Sequence, residues 1–218
     1  MALVDIDAER GGAVAAELDA TFIQADLSKR GAARTAFAAA VRALGSISLL
    51  VHAASPPRRE SQTVLAVTDD EWDAMVNTNL RAAFELGQEA GKHMVAERIR
   101  GRMLLVTSPH AQSPRNLPHY SASKAGETML VKELAKALGP HGIRVNAIAP
   151  GAVPGGGFAA NVAALEKMIP LGRTGTPEDI AATAVALLSD RFSAYITGTT
   201  VAVDGGLTLY NWIPAPES

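Results

Sequence analysis

The strongest constraint on the fold is a regular alternation of short apolar runs with longer stretches that have helical periodicity. Each run has four to seven residues, is rich in Val, Ile or Leu, and carries few polar side chains. Such runs are typical of parallel strands that are buried on both faces. We predict six strands, at Ala2–Ile6, Thr21–Ala25, Ile47–Ala53, Arg102–Val106, Ile143–Ile148 and Thr200–Val203.

The stretches between the runs have the periodicity of helices, and several have recognisable ends. We predict helices at Ala8–Leu18, Ala32–Leu44, Asp70–Glu97, Tyr120–Leu138 and Pro177–Leu188. Asp7 and Thr176 are suited to cap helix starts, and Gly139-Pro140 is suited to end a helix. Alternating strands and helices build βαβ units. The chain is therefore predicted to be an α/β protein with a doubly wound parallel sheet of about six strands and helices on both faces.

Composition narrows the class of protein. The chain has 218 residues, a formal net charge of −2, 48% apolar residues and no cysteine. These values predict one domain over residues 1–218 and exclude a disulfide framework. The near-neutral charge argues against nucleic-acid binding, and the apolar runs are too short to span a membrane. No secretory signal is recognisable, so we expect a cytoplasmic protein, in which residues 150–175 form a substrate loop or lid.

The strongest chemical signal is Tyr120-Ser121-Ala122-Ser123-Lys124. A tyrosine and a lysine four residues apart share one face of a helix. A phenol titrates near about pH 10, and a neighbouring ammonium favours the phenolate form. The pair is therefore a plausible general acid and base, although such spacing on its own also occurs on ordinary helix surfaces.

Other motifs surround this pair in a specific order. Asn77-Thr78-Asn79-Leu80 and the strand ending in Thr107-Ser108 come before it, whereas Asn146 to Gly151 (NAIAPG) and Asp204-Gly205-Gly206 follow it. In this order the motifs resemble the short-chain dehydrogenase/reductase family over nearly the whole chain. The resemblance implies a Rossmann-like fold. It also implies interconversion of a secondary alcohol and a carbonyl with a nicotinamide cofactor.

The resemblance also implies roles for individual residues. Tyr120 would exchange a proton with the substrate oxygen, and Lys124 would make that phenol more acidic and hold the cofactor ribose. Ser108 would hydrogen-bond the reacting oxygen, with Thr107 as a rival for this role. Asn79 would anchor a water in the proton relay, although it could instead be a helix residue satisfied by backbone contacts.

The cofactor-binding residues implied by the resemblance follow the strand ends. Asp5 ends the first predicted strand region, where a carboxylate can bind an adenosine ribose and repel a 2′-phosphate, so NAD is expected rather than NADP. Asp5 could also be merely a polar strand end, and Asp26 merely a turn cap. His52 is interpreted as a side chain that ties the sheet together rather than as a ligand, and no metal site is expected. The implied cofactor-binding residues are Asp5, Asp26, Leu27, Ala53, Ala54, Tyr120, Lys124, Pro150, Gly151 and Val153.

The chain departs from the family at its start. The family's first strand and Gly-rich turn, which bind the pyrophosphate, have no counterpart here, and Gly11-Gly12 lies within a predicted helix. The fold is thus expected to be N-terminally truncated by about 30 residues, leaving a slot in the sheet.

This departure leaves three functions open. The first is a nicotinamide-dependent oxidoreductase acting on a small molecule. The second is a cofactor-free lyase, isomerase or dehydratase, and the third is a non-catalytic relative that binds dinucleotide weakly or not at all. A homodimer or homotetramer is expected in each case.

Overall fold

The computed structural model describes residues 1–57, 62–155 and 161–209, and these form an alternating α/β fold. All strand pairings are parallel. The six predicted strands are confirmed with small shifts at their ends. They are β1 (Ala2–Asp5), β2 (Thr21–Gln24), β3 (Leu49–His52), β4 (Arg102–Val106), β5 (Arg144–Pro150) and β6 (Thr200–Val203).

The strands form two separate ladders. One contains β1 and β2, and the other has the order β3-β4-β5-β6. Within the described residues, β1 pairs only with β2, so the first strand has not moved inward to pair with β3. Leu49 and Val51 on β3 are each 50% exposed, although a strand in the middle of a parallel sheet would bury them. The expected slot between the first two strands and the rest is therefore present.

The predicted helices are present, and the structure contains two short helices that were not predicted. The structure contains α1 (Ala8–Glu17), α2 (Ala32–Leu44), α3 (Asp69–Val76), α4 (Ala82–Ala96), α5 (Pro118–Leu138), α6 (Val162–Glu166), α7 (Pro177–Leu188) and α8 (Asp190–Ser193). The long helix predicted at Asp70–Glu97 is a continuous helical run, in which the π-helical segment Asn77–Arg81 joins α3 to α4. The sequence did not predict α6 and α8, which have only five and four residues.

Side-chain caps fix where the helices begin. The carboxylate of Asp7 accepts hydrogen bonds from the backbone N–H groups of Glu9 and Arg10, at 3.1 and 2.9 Å. Thr176 and Asp179 form a reciprocal capping box at the start of α7. These contacts satisfy N–H groups that lack partners within the helix, and they confirm both predicted caps.

The core lies on both faces of the four-stranded ladder. On one face, Met103 and Val145 pack with residues of α2, α4 and α5, including the fully buried Val131. On the other face, Leu104 and Ile148 pack against Leu187 of α7. Consecutive residues of β4 are thus buried on opposite faces, which explains why its sequence is apolar without alternation. In the parts of the chain that the structure describes, none of the helices combines the length and apolar character needed to cross a membrane.

Candidate active site

The candidate site lies where β4 ends and α5 begins. Tyr120 is in the first turn of α5, Lys124 follows one turn later, and their side chains are almost completely buried. The Nζ atom of Lys124 lies 5.8 Å from the centroid of the Tyr120 ring, which is within the range of a cation–π contact. The predicted common face of the tyrosine and the lysine is therefore present.

Two contacts fix the Lys124 ammonium group. Its Nζ atom donates a hydrogen bond of 2.8 Å to the backbone carbonyl of Val106, the last residue of β4. The same Nζ atom lies 2.6 Å from Oε2 of Glu127. The strand end and the helix therefore hold the positive charge in place beside Tyr120.

The two hydroxyl groups at the end of β4 have different partners. Thr107 Oγ1 donates a hydrogen bond of 3.1 Å to the backbone carbonyl of Ile148 on the neighbouring strand. Ser108 Oγ accepts a hydrogen bond of 3.2 Å from the backbone N–H of His110, which leaves the hydroxyl hydrogen able to donate elsewhere. This arrangement favours Ser108 over Thr107 as the group that contacts a substrate oxygen.

Asn79 lies in the π-helical segment and is fully buried. Its Nδ2 atom donates a hydrogen bond of 2.9 Å to Ser123 Oγ, and that hydroxyl donates to the backbone carbonyl of Tyr120 at 2.8 Å. The Oδ1 atom of Asn79 is buried and has no hydrogen-bond partner within the described residues. π-Helical turns within α-helices are frequent at functional sites, and here the turn links Asn79 to the turn that carries Tyr120.

The backbone carbonyl of Asn79 has a side-chain partner. His52, the last residue of β3, places its Nε2 atom 3.2 Å from this oxygen. A carbonyl oxygen can only accept, so Nε2 carries the hydrogen in this contact. His52 therefore ties the end of β3 to the π-helical segment.

Glu127, which the sequence analysis did not identify, lies next to Lys124 and His52. It is fully buried, with Oε2 close to Lys124 and Oε1 3.8 Å from His52 Nε2. Burial raises the pKa of Glu127 to about 7, against the lowering effect of the Lys124 charge. A signal was available, because Tyr120, Lys124 and Glu127 follow i, i+4, i+7 spacing on one helix face.

The two aspartates expected to bind the cofactor lie at the carboxyl ends of β1 and β2. Asp5 is exposed, and its Oδ1 atom accepts a hydrogen bond of 2.8 Å from the backbone N–H of Asp7. Asp26 accepts hydrogen bonds from the backbone and the hydroxyl of Ser28, at 2.9 and 2.6 Å. The hydroxyl bond, the largest lowering cause, holds the pKa of Asp26 below its ordinary value, against a smaller raising effect of burial. Asp26 therefore caps a turn, while Asp5 keeps an exposed carboxylate at a strand end.

The other residues expected at the cofactor also follow strand ends. Ala53 and Ala54 follow β3, Pro150 ends β5, and Gly151 and Val153 come after it, whereas Leu27 packs at the margin of the core. A Cβ on Gly151 would lie 2.7 Å from the Asp204 Cα atom, so close packing alone requires glycine there. The residues that follow β3 and β5 lie along one edge of the four-stranded ladder, because parallel strands end at the same edge.

Gly11 does not form a phosphate-binding turn. It lies inside α1, where a Cβ would clash with the Phe22 ring and come within 3.1 Å of Asp5 Cβ. This glycine therefore allows α1 to pack closely on β1 and β2, and its position inside a helix agrees with the prediction.

Comparisons with known proteins agree with this geometry. A family model described as enoyl-(acyl carrier protein) reductase matches residues 1–208. The chain is 40% identical to 3beta-hydroxysteroid dehydrogenase 1 of Eggerthella lenta, over 93% of this chain and 77% of that protein. It is 34% identical to glucose 1-dehydrogenase 2 of Bacillus subtilis (strain 168), over 88% of this chain and 76% of that protein.

A solved structure gives the same result for the fold. A short chain dehydrogenase from Bacillus anthracis str. 'Ames Ancestor' superposes with a TM-score of 0.89 and 28% identity. The match covers 98% of this chain and 87% of that one. From this fold, these relatives and the matching family model, the chain belongs to the short-chain dehydrogenase/reductase family and is an oxidoreductase of that type.

Proposed function

We propose that the family's interconversion of a secondary alcohol and a carbonyl is carried out here by Tyr120, Ser108, Lys124 and Asn79. The observation that carries this assignment is the buried Lys124 ammonium fixed at the end of β4, 5.8 Å from the Tyr120 ring centroid. Tyr120 exchanges the proton at the substrate oxygen, and Ser108 donates a hydrogen bond to that oxygen. When bound, the nicotinamide ring supplies the hydride acceptor or donor.

The structure supports this division of roles. The positive charge of Lys124 favours the phenolate form of Tyr120, because an opposite charge nearby stabilises the ionised group. Asn79 holds Ser123, and Ser123 in turn holds the backbone of Tyr120. A chain of two hydrogen bonds therefore connects the π-helical segment to the backbone of the proton-exchanging residue.

We propose NAD as the cofactor. The exposed carboxylate of Asp5 at the carboxyl end of β1 suits the two ribose hydroxyls of an adenosine and would repel a 2′-phosphate. In this proposal Asp5 would hold the adenosine ribose and Lys124 would hold the nicotinamide ribose.

We propose a hydroxysteroid-like secondary alcohol as the first substrate class to test. The relative at 40% identity is named 3beta-hydroxysteroid dehydrogenase 1. Tyr120 packs with the buried Met75 and Leu117, so the surroundings of the proton-exchanging group are apolar. Residues 150–175 are proposed to cover the substrate as part of the single domain. Of these, 156–160 lie outside the described residues.

The decisive experiment combines binding with activity. NADH and NADPH are titrated into the protein, and 3β-hydroxysteroids are then assayed with NAD in the native protein and in Tyr120→Phe. Saturable NADH binding with activity lost in Tyr120→Phe would support the proposal. No saturable binding up to millimolar NADH would overturn it.

The same preparation separates the alternative functions. Exchange of substrate α-carbon protons without NAD, also lost in Tyr120→Phe, would indicate the cofactor-free lyase or isomerase chemistry. The buried Tyr120–Lys124 pair, which can exchange a proton without a cofactor, is the feature that favours this alternative. If the protein neither binds NADH nor exchanges substrate protons, it is a non-catalytic relative.

A further inference from the structure

Glu127 is a buried carboxyl group that the proposed reaction does not use. Its side chain is fully buried, and neither carboxyl oxygen receives a hydrogen bond of regular geometry within the described residues. Its main polar contact is the Lys124 ammonium, 2.6 Å from Oε2. A buried carboxylate without hydrogen bonds is costly, so a neutral carboxyl competes with the ion pair.

His52 does not stabilise the carboxylate. Its Nε2 hydrogen is directed to the Asn79 carbonyl, and the same nitrogen is 3.8 Å from Glu127 Oε1. Burial, with a smaller contribution from the Lys124 charge, lowers the pKa of His52 to about 4, so the ring is neutral near pH 7. The imidazole is neutral, and its Nε2 hydrogen is bonded to the Asn79 carbonyl. Among the described groups, Lys124 is therefore the one charge that favours the ionised form of Glu127.

The surroundings of Glu127 contain few titratable groups. Lys124 faces it from α5, and His52 faces it from β3. β4 contributes the Val106 carbonyl to the same ammonium, and the π-helical segment contributes the Asn79 carbonyl to the imidazole. The charge on Glu127 is therefore coupled directly to Lys124 and, through it, to Tyr120.

We propose that Glu127 is a positioning residue that tunes the acidity of the site through Lys124. A neutral Glu127 leaves the ammonium charge acting on Tyr120, and an ionised Glu127 cancels much of that charge. This proposal rests on the proposed function for its catalytic meaning, but the electrostatic coupling can be measured without turnover.

The direction of the effect follows from the charges. As the pH rises, Glu127 loses its proton, the Lys124–Glu127 pair becomes neutral, and the phenolate form of Tyr120 loses its stabilisation. Burial raises the pKa of Glu127 to about 7, so this change falls in the neutral range. The native protein should therefore form the phenolate at a higher pH than a variant with a permanently neutral residue at position 127.

The experiment is a spectrophotometric titration of Tyr120 without cofactor. The chain has three tyrosines, so replacement of Tyr195 and Tyr210 by Phe leaves Tyr120 as the only tyrosine. In this background we compare native Glu127, Glu127→Gln and the control Glu133→Gln, which removes an exposed charge from the same helix. The Tyr120 midpoint should fall by about one pH unit in Glu127→Gln and stay unchanged in Glu133→Gln. Equal midpoints in all three proteins would overturn the proposal.

A second measurement needs no variant to fold. Infrared spectra of the native protein between pH 5 and 8 should show a protonated carboxyl band that disappears near neutral pH, where exposed carboxylates are already ionised. If every such band has already disappeared when the pH reaches about 5.5, the proposal is also overturned. If the protein binds no dinucleotide, the proposed function fails, yet both spectroscopic results still decide the role of Glu127.

Discussion

The Nε2 atom of His52 lies 3.2 Å from the backbone carbonyl of Asn79, and this contact ties the end of β3 to a π-helical turn. The tie is made by a neutral imidazole, because burial and the Lys124 charge lower the pKa of His52 to about 4. The same imidazole lies 3.8 Å from Glu127, the ion-pair partner of Lys124. A strand end, a helical turn and a buried ion pair thus depend on the protonation of one ring.

This relationship predicts a pH dependence of stability. An unfolded chain protonates His52 below about pH 6.5, whereas the folded chain protonates it only near pH 4. The stability that His52 contributes is therefore present above pH 6.5 and is lost as the pH falls towards 4. Between pH 7 and 4, the free energy of unfolding should fall by about 3 kcal/mol more in the native protein than in His52→Gln. Urea unfolding at a series of pH values measures the difference, and parallel curves for the two proteins would contradict it.

Glu127 should give the free energy of unfolding the opposite dependence on pH. Its folded-state pKa is raised to about 7, so its contribution is complete below about pH 4.5 and is lost as the pH rises through 7. Between pH 5 and 8, the native protein should lose about 3 kcal/mol relative to Glu127→Gln, whose residue 127 does not titrate. The same urea series tests this, with Glu133→Gln as the control. A Glu127→Gln curve as steep as the native one would refute the raised pKa.

Substitution of Ser108 should lower activity, whereas substitution of Thr107 should lower stability. Removing the Ser108 hydroxyl should lower kcat/KM about 100-fold with little change in unfolding, because its hydrogen is available for the substrate oxygen. Replacing Thr107 by Val should keep the activity but cost about 1 kcal/mol, because the buried bond to Ile148 is lost. Steady-state kinetics and urea unfolding of the two variants provide the measurements. A larger loss of activity in Thr107→Val than in Ser108→Ala would reverse the assignment.

Asp5 should set the choice between NAD and NADP. Asp5→Asn keeps an oxygen that can accept from the Asp7 backbone N–H but removes the charge that repels a 2′-phosphate. The ratio of the Kd for NADPH to the Kd for NADH should fall about 10-fold, which corresponds to about 1.4 kcal/mol. Fluorescence titration with both cofactors measures this ratio. Asp7→Asn alters the neighbouring helix cap and is the control, for which we expect no change in the ratio.

The sequence was sufficient to predict the strands, the main helices and the Tyr120–Lys124 pair, because these depend on local periodicity and spacing. It did not predict the π-helical turn at Asn77–Arg81, since nothing local distinguishes one extra backbone hydrogen-bond step within a long helix. It also did not predict that His52 and Glu127 meet. They belong to different elements, and only the packing of α5 against the end of β3 brings them together. The short helices α6 and α8 have too few residues to show a periodic pattern.

Exposed apolar side chains on α4 and α5 predict that the protein self-associates. Phe84 on α4 is 43% exposed, and Met129 on α5 is 55% exposed. Light scattering should therefore give the mass of a dimer or a tetramer. Met129→Asp should lower that mass, because a charge buried in such an interface is unpaired. Val14→Asp, at a residue 43% exposed on α1, is the matched control and should leave the mass unchanged. A native protein that is a monodisperse monomer at all concentrations tested would contradict self-association through α4 and α5.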